Sequence, residues 1–129
     1  MRALVIDDSR AMRMVVGKHL KDLGFEVLEA ADGQAALDVL EQAGGDLPVL
    51  ATIDWNMPVM DGLTFIQEAR QRSAWRPITL MMVTTECEQS QIVRALAAGA
   101  HEYLIKPFAA DAFVEKLDYL GLTPTRSNS

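Results

Sequence analysis

Four short polar islands each close an apolar run, and this recurrence limits the fold more than any other feature of the chain. Residues 3–6 end at Asp7-Asp8, residues 49–53 at Asp54-Trp55-Asn56, residues 78–83 at Thr84-Thr85, and residues 103–105 at Lys106-Pro107. If the runs are parallel strands, all four islands fall at the C-terminal edge of one sheet, where open α/β sheets bind their ligands. Three carboxylates, a hydroxyl and an ammonium then share one pocket.

Between the runs the pattern is helical. Met12, Val15, Val16, Leu20 and Leu23 form an apolar stripe over 10–23, which Gly24 ends. A strand over 25–30 follows, then a helix that Asp32 caps and Gly44-Gly45 closes. Residues 47–53 give the next strand and 62–72 the next helix. The continuous apolar segment 77–83 suits a central strand covered on both faces. Thr85-Glu86-Cys87-Glu88 reads as a capping box for a helix reaching Ala98, stopped by Gly99. A strand over 101–105 and a helix over 108–120 complete five β-α units. Right-handed crossovers make these a parallel sheet with helices on both faces. Residues 1–121 form the domain, and 122–129 read as a polar, mobile tail.

The 129 residues, 50% of them hydrophobic, suffice for one domain with a real core. A net charge of −6 argues against binding nucleic acid. No apolar stretch approaches the ~20 residues that span a bilayer, and no signal-peptide core follows Met1-Arg2. A lone cysteine, Cys87, forms no internal disulfide, and the chain reads as cytoplasmic.

The islands specify chemistry. Two like charges ~4 Å apart repel by about 4 kcal/mol at an effective dielectric of roughly 20, so Asp7, Asp8 and Asp54 call for a counter-ion. Mg²⁺ suits an all-oxygen site that also takes phosphate, and the absence of His or Cys disfavours zinc and copper. Lys106 adds a fixed positive charge, and Thr84 a hydroxyl able to donate to a phosphoryl oxygen. Asn56, two residues after Asp54, cannot act as general acid or base. Such a site accepts a phosphoryl group on Asp54 and releases it slowly, as a signal rather than a turnover catalyst.

These residues carry a resemblance to response-regulator receiver domains of the chemotaxis type. Asp54-Trp55-Asn56-Met57-Pro58 with Met60-Asp61-Gly62 is its most specific stretch, supported by Val5-Ile6-Asp7-Asp8-Ser9, Met82-Val83-Thr84 and Ile105-Lys106-Pro107-Phe108. The strand order 2-1-3-4-5 of a flavodoxin-like sheet is that group's known order and is taken from it. The resemblance implies that Asp54 is the phospho-acceptor. Asp8, Asp54 and the backbone carbonyl of Asn56 would bind Mg²⁺, and Asp7 would hold a metal-bound water. Lys106 and Thr84 would contact the phosphoryl oxygens, and Tyr103 would be an aromatic switch that turns inward when Thr84 moves. It implies a sensor histidine kinase as donor, a downstream protein on the surface of the fourth helix, fifth strand and fifth helix (Phe108 and Lys116 included), a phosphatase as further partner, and a monomer.

Glu86-Cys87-Glu88-Gln89 stands where familiar chemotaxis members carry lysines. That acidic face weighs against docking to the flagellar switch, and Arg94 offers selection of a different partner. His101 reads as exposed polar surface and Trp75 as packing. A receiver cut from a longer, DNA-binding regulator is the alternative to a stand-alone switch. An aspartyl-phosphate hydrolase is the third reading, which Asn56 opposes.

Overall fold

The computed structural model describes residues 1–122; of the expected tail, 123–129 lie outside the described residues. In chain order the elements are β1 (Arg2–Ile6), α1 (Arg10–Asp22), β2 (Glu26–Ala30), α2 (Gly33–Ala43), β3 (Leu50–Ile53), α3 (Gly62–Arg70), β4 (Thr79–Thr84), α4 (Gln89–Ala98), β5 (Glu102–Ile105) and α5 (Ala110–Tyr119), with a 3-10 turn at Ser73–Trp75. All pairings are parallel and the order is β2-β1-β3-β4-β5.

The pleat sorts the core into two layers. Ala3 and Val5 face one side of β1 with Val16, Leu20, Phe113 and Leu117 of α1 and α5. Leu4 and Ile6 face the other, with Leu40, Phe65, Ile66 and Ala95 of α2, α3 and α4. Handedness explains the division. The chain steps one way from β1 to β2 and the other way from β2 through β3 and β4 to β5. Right-handed crossovers therefore put α1 opposite α2, α3 and α4. The reversal lies between β1 and β3, which opens a crevice beyond their C-terminal ends. Phe65 and Phe113, both fully buried, anchor the two layers; truncating either to alanine costs about 3–5 kcal/mol.

Local chemistry sets the helix ends. Ser9, Asp32 and Asp61 accept N–H bonds from Met12, Ala35 and Thr64 at the starts of α1, α2 and α3. The expected capping box at Thr85–Glu88 is absent: α4 begins at Gln89, with Glu88 at the cap making no side-chain bond. The segment is bound elsewhere, because Glu86 N–H donates to Thr84 Oγ1 and the Glu86 carbonyl accepts from Tyr103. Leu122 is not loose: its N–H donates to the Leu117 carbonyl and its side chain packs on the α1–α5 layer.

Candidate phosphoryl and metal site

The sheet ladder continues past the strands into the islands. Asp54 N–H donates to the Ile6 carbonyl at 2.9 Å, and Asp7 N–H to the Ala30 carbonyl at 3.1 Å. Lys106 N–H reaches the Thr84 carbonyl at 2.9 Å. These bonds fix the islands in pairs at one edge.

Asp7, Asp8 and Asp54 each offer a carboxylate oxygen within 4.8 Å of the others. Lys106 Nζ lies 2.8 Å from Asp7 Oδ2 and 3.9 Å from Asp54 Oδ2, and its side chain is only 10% exposed. Lys106 joins Pro107 through a cis peptide. The other Asp7 oxygen accepts the Ser9 N–H at 2.9 Å. Asp8 is exposed and Asp54 half-buried. Burial raises the Asp54 pKa, and the Asp7 charge adds to the rise. A Thr84 hydrogen bond, Lys106 and the Trp55 backbone oppose it. One ammonium facing three carboxylates leaves the cleft negative. Its donors are hard oxygens, with neither nitrogen nor sulfur among the clustered ligand atoms. That set fits Mg²⁺ and suits zinc or copper poorly.

Thr84 is fully buried beside this cluster. Tyr103 is 7% exposed and already points inward, its hydroxyl donating to the Glu86 carbonyl at 2.7 Å. Burial first, and then the charges of Glu86, Cys87 and Asp54, push the Tyr103 pKa up to about 12, so the hydroxyl stays a donor at all physiological pH. Asn56 is exposed, and its amide donates to Glu86 Oε2 at 3.4 Å. Glu86 thus connects the β4–α4 and β3–α3 loops, a role its place in a supposed capping box concealed.

Residues 55–62 form a tightly turned loop. Gly62 N–H donates to the Trp55 carbonyl at 2.8 Å. A Cβ at Gly62 would overlap the Asp54 carbonyl oxygen, so glycine at this position lets two backbones touch. Val59 has φ 69° and is 83% exposed. A β-branched residue in that region is strained by about 1–2 kcal/mol. Nothing in the sequence pattern signals it.

Two peripheral expectations change. Phe108 turns away from the α4–β5–α5 face and stacks on Phe113, 5.7 Å between ring centroids, with His19 of α1 nearby. The apolar layer under α1 and α5 gives it more cover than the open face does. Lys116 does lie on the expected face, paired with Glu102 at 3.1 Å. His101 is exposed but structural, since its Nδ1 accepts the Leu80 N–H at 3.1 Å. Trp75 is buried as expected. Arg94 bonds Gln91 and reaches toward the Trp55 ring, 6.0 Å from its centroid.

The sequence model of the response regulator receiver domain matches residues 3–118. The chemotaxis protein CheY1 of Helicobacter pylori is 42% identical over 119 residues, 92% of this chain and 94% of its own length. The CheY homolog of Campylobacter jejuni is 42% identical over 123 residues, 94% of this chain and 93% of its own. Among solved structures, chemotaxis response regulator CheY4 of Vibrio cholerae superposes with a TM-score of 0.84 at 34% identity, covering 92% of this chain and 97% of that one.

Proposed function

Because the chain belongs to the response regulator receiver domain family, we propose that it is a phosphorylation switch whose acceptor is Asp54. Receiver domains of this kind take phosphate from histidine kinases and pass the signal to effectors by binding them. The convergence of Asp7, Asp8 and Asp54 within 4.8 Å, with Lys106 among them, is the observation that carries the reading.

In the transfer, an Asp54 carboxylate oxygen attacks the phosphorus of a phosphohistidine. The P–N bond breaks, and the imidazole leaves with the electron pair and takes up a proton. Asp8, Asp54 and the Asn56 carbonyl would hold Mg²⁺, with Asp7 acting through water; bound there, the ion neutralises charge on the phosphoryl oxygens. Lys106 swings from Asp7 toward the new phosphoryl group. Thr84 donates to that group as well. Its hydroxyl then no longer serves the Glu86 N–H, 3.4 Å away. The loop that shifts in response carries the very carbonyl that Tyr103 holds. Phosphorylation is thereby read at the α4–β5–α5 face as a change in the population of the inward Tyr103.

A groove of about 410 Å³ beside Lys106, lined by Met12, Val15, Thr85, Pro107 and Phe108, offers an apolar surface next to the acceptor and supports the docking of a donor protein there. The effector meets a face whose entrance carries Glu86 and Glu88, so a basic or neutral segment is its natural complement. Acetyl phosphate with Mg²⁺ tests the reading. The wild-type chain takes up one acid-labile phosphoryl group, and Asp54→Asn takes up none. Stoichiometric labelling of Asp54→Asn rules the assignment out. Turnover far beyond one phosphoryl per chain restores the hydrolase reading.

A further inference from the structure

We propose that Gly33, at the start of α2 and outside the acidic cluster, is a positioning residue for the metal-binding backbone of Asn56. The inference rests on the reading of that carbonyl as a ligand. Gly33 N–H donates to the Met60 carbonyl at 3.1 Å. A Cβ built at Gly33 would lie 2.7 Å from Met60 Cγ, 2.9 Å from Met60 O and 3.0 Å from Met60 Cβ. The backbone of Gly33 is not in the left-handed region. Glycine is needed here for space, not for conformation: α2 must come close enough to hold the β3–α3 loop from the side.

That loop has little slack. Gly62 N–H closes its base on the Trp55 carbonyl, and Met60 N–H bonds the Pro58 carbonyl at 2.7 Å. Pro58 has a fixed φ, and Val59 is already forced to φ 69°. Met60 packs against the core layer beneath it. Pushed by a side chain at position 33, Met60 cannot move alone; the displacement passes through the stiff Pro58-Val59 link to Met57 and Asn56. Sub-ångström errors in the place of one ligand weaken a site for Mg²⁺, which demands near-octahedral geometry.

The test is a Mg²⁺ titration followed by the Trp55 indole resonance, with thermal unfolding in chelator alongside. Gly33→Ala raises the Mg²⁺ Kd about tenfold, the usual scale for residues that support a metal ligand. Met60→Ala, which frees the loop without a clash, raises it about threefold. A purely structural glycine lowers the melting temperature and leaves the Kd alone. A Kd for Gly33→Ala within about twofold of wild type overturns the inference. Should Gly33→Ala fail to fold, Met60→Ala decides, and an unchanged Kd there is equally contrary. If the wild-type chain binds no Mg²⁺, the reading of Asn56 falls first and takes this inference with it.

Discussion

Lys106 at the C-terminal edge of the sheet and Arg70 at the opposite edge are both sheltered cations, yet they are bonded to different kinds of group. Among the described residues, the oxygen partners of Arg70 are all backbone carbonyls: Gly99 at 3.3 Å, Trp75 at 3.4 Å, Arg76 at 3.2 Å and Ile78 at 2.8 Å. Its stem fills the space beside Gly99, where a Cβ would lie 2.6 Å from Arg70 Cγ. Lys106 instead faces Asp7 and Asp54. The carbonyls around Arg70 are neutral, whereas the carboxylates around Lys106 are charged, clustered and able to exchange the ammonium for a divalent cation. One end is a staple and the other is a contact built to be remade.

Removing the two cations gives the largest contrast. Arg70→Ala leaves several carbonyls short of donors and costs about 2–4 kcal/mol, with or without Mg²⁺. Lys106→Ala exposes a buried carboxylate to its like-charged neighbours and costs about 3 kcal/mol in chelator. Saturating Mg²⁺ restores most of that loss, at affinity unchanged or slightly tighter than wild type. Urea unfolding with and without Mg²⁺ checks both, and equal Mg²⁺ rescue of the two variants would erase the distinction.

The next effects lie wholly at the site. Asp54→Asn stabilises the metal-free chain by about 1 kcal/mol at pH 7, the scale of a relieved like-charge contact. The sign follows from burial. Asp54 has its folded pKa raised above 3.8, so its contribution is intact below that pH and is lost as pH rises through the folded value. The advantage of the variant therefore disappears at about pH 3.8 and below, which a pH series of melts in chelator detects. Val59→Asn relieves left-handed strain and raises stability by about 1 kcal/mol; no change in the melting temperature would mean that the loop relaxes without it.

The smallest effect belongs to the other edge. Burial first, and the Arg70 charge next, lower the His101 pKa below 6.5. Stability from the neutral ring is full above 6.5 and is lost as pH falls through the folded value. The ring is exposed, so solvent screening holds the loss to about a few tenths of a kcal/mol. His101→Gln, with an acceptor for the Leu80 N–H, flattens the acid limb of the stability curve between pH 7 and pH 5 if this is its origin.

What the sequence disclosed divides along the same line. The apolar runs of β1, β3 and β4 and the islands after them were legible, because period and punctuation are local signals. Asp7, Asp8, Asp54, Thr84 and Lys106 fall together on sequence grounds alone, since parallel strands bring every island to one edge. The contacts that tune the edge were not legible. Glu86 meets Tyr103 of β5 and Asn56 of the β3–α3 loop, and Gly33 at the start of α2 meets Met60 of that same loop. Such pairings depend on how closely backbones approach, which no periodicity encodes. The staple at the far edge was equally hidden: Arg70 ends an ordinary amphipathic helix, and His101 looks like any polar residue ahead of a strand. Phe108 shows a further limit, because an aromatic after Lys-Pro can turn to either layer and packing alone decides.

Borohydride trapping tests the central claim most directly. Reduction of an aspartyl phosphate leaves homoserine, which peptide mass spectrometry locates to a single residue. After incubation with acetyl phosphate, the account predicts homoserine at position 54 when Mg²⁺ is present and none when it is chelated. Homoserine at another acid, or equal trapping without the ion, would contradict it.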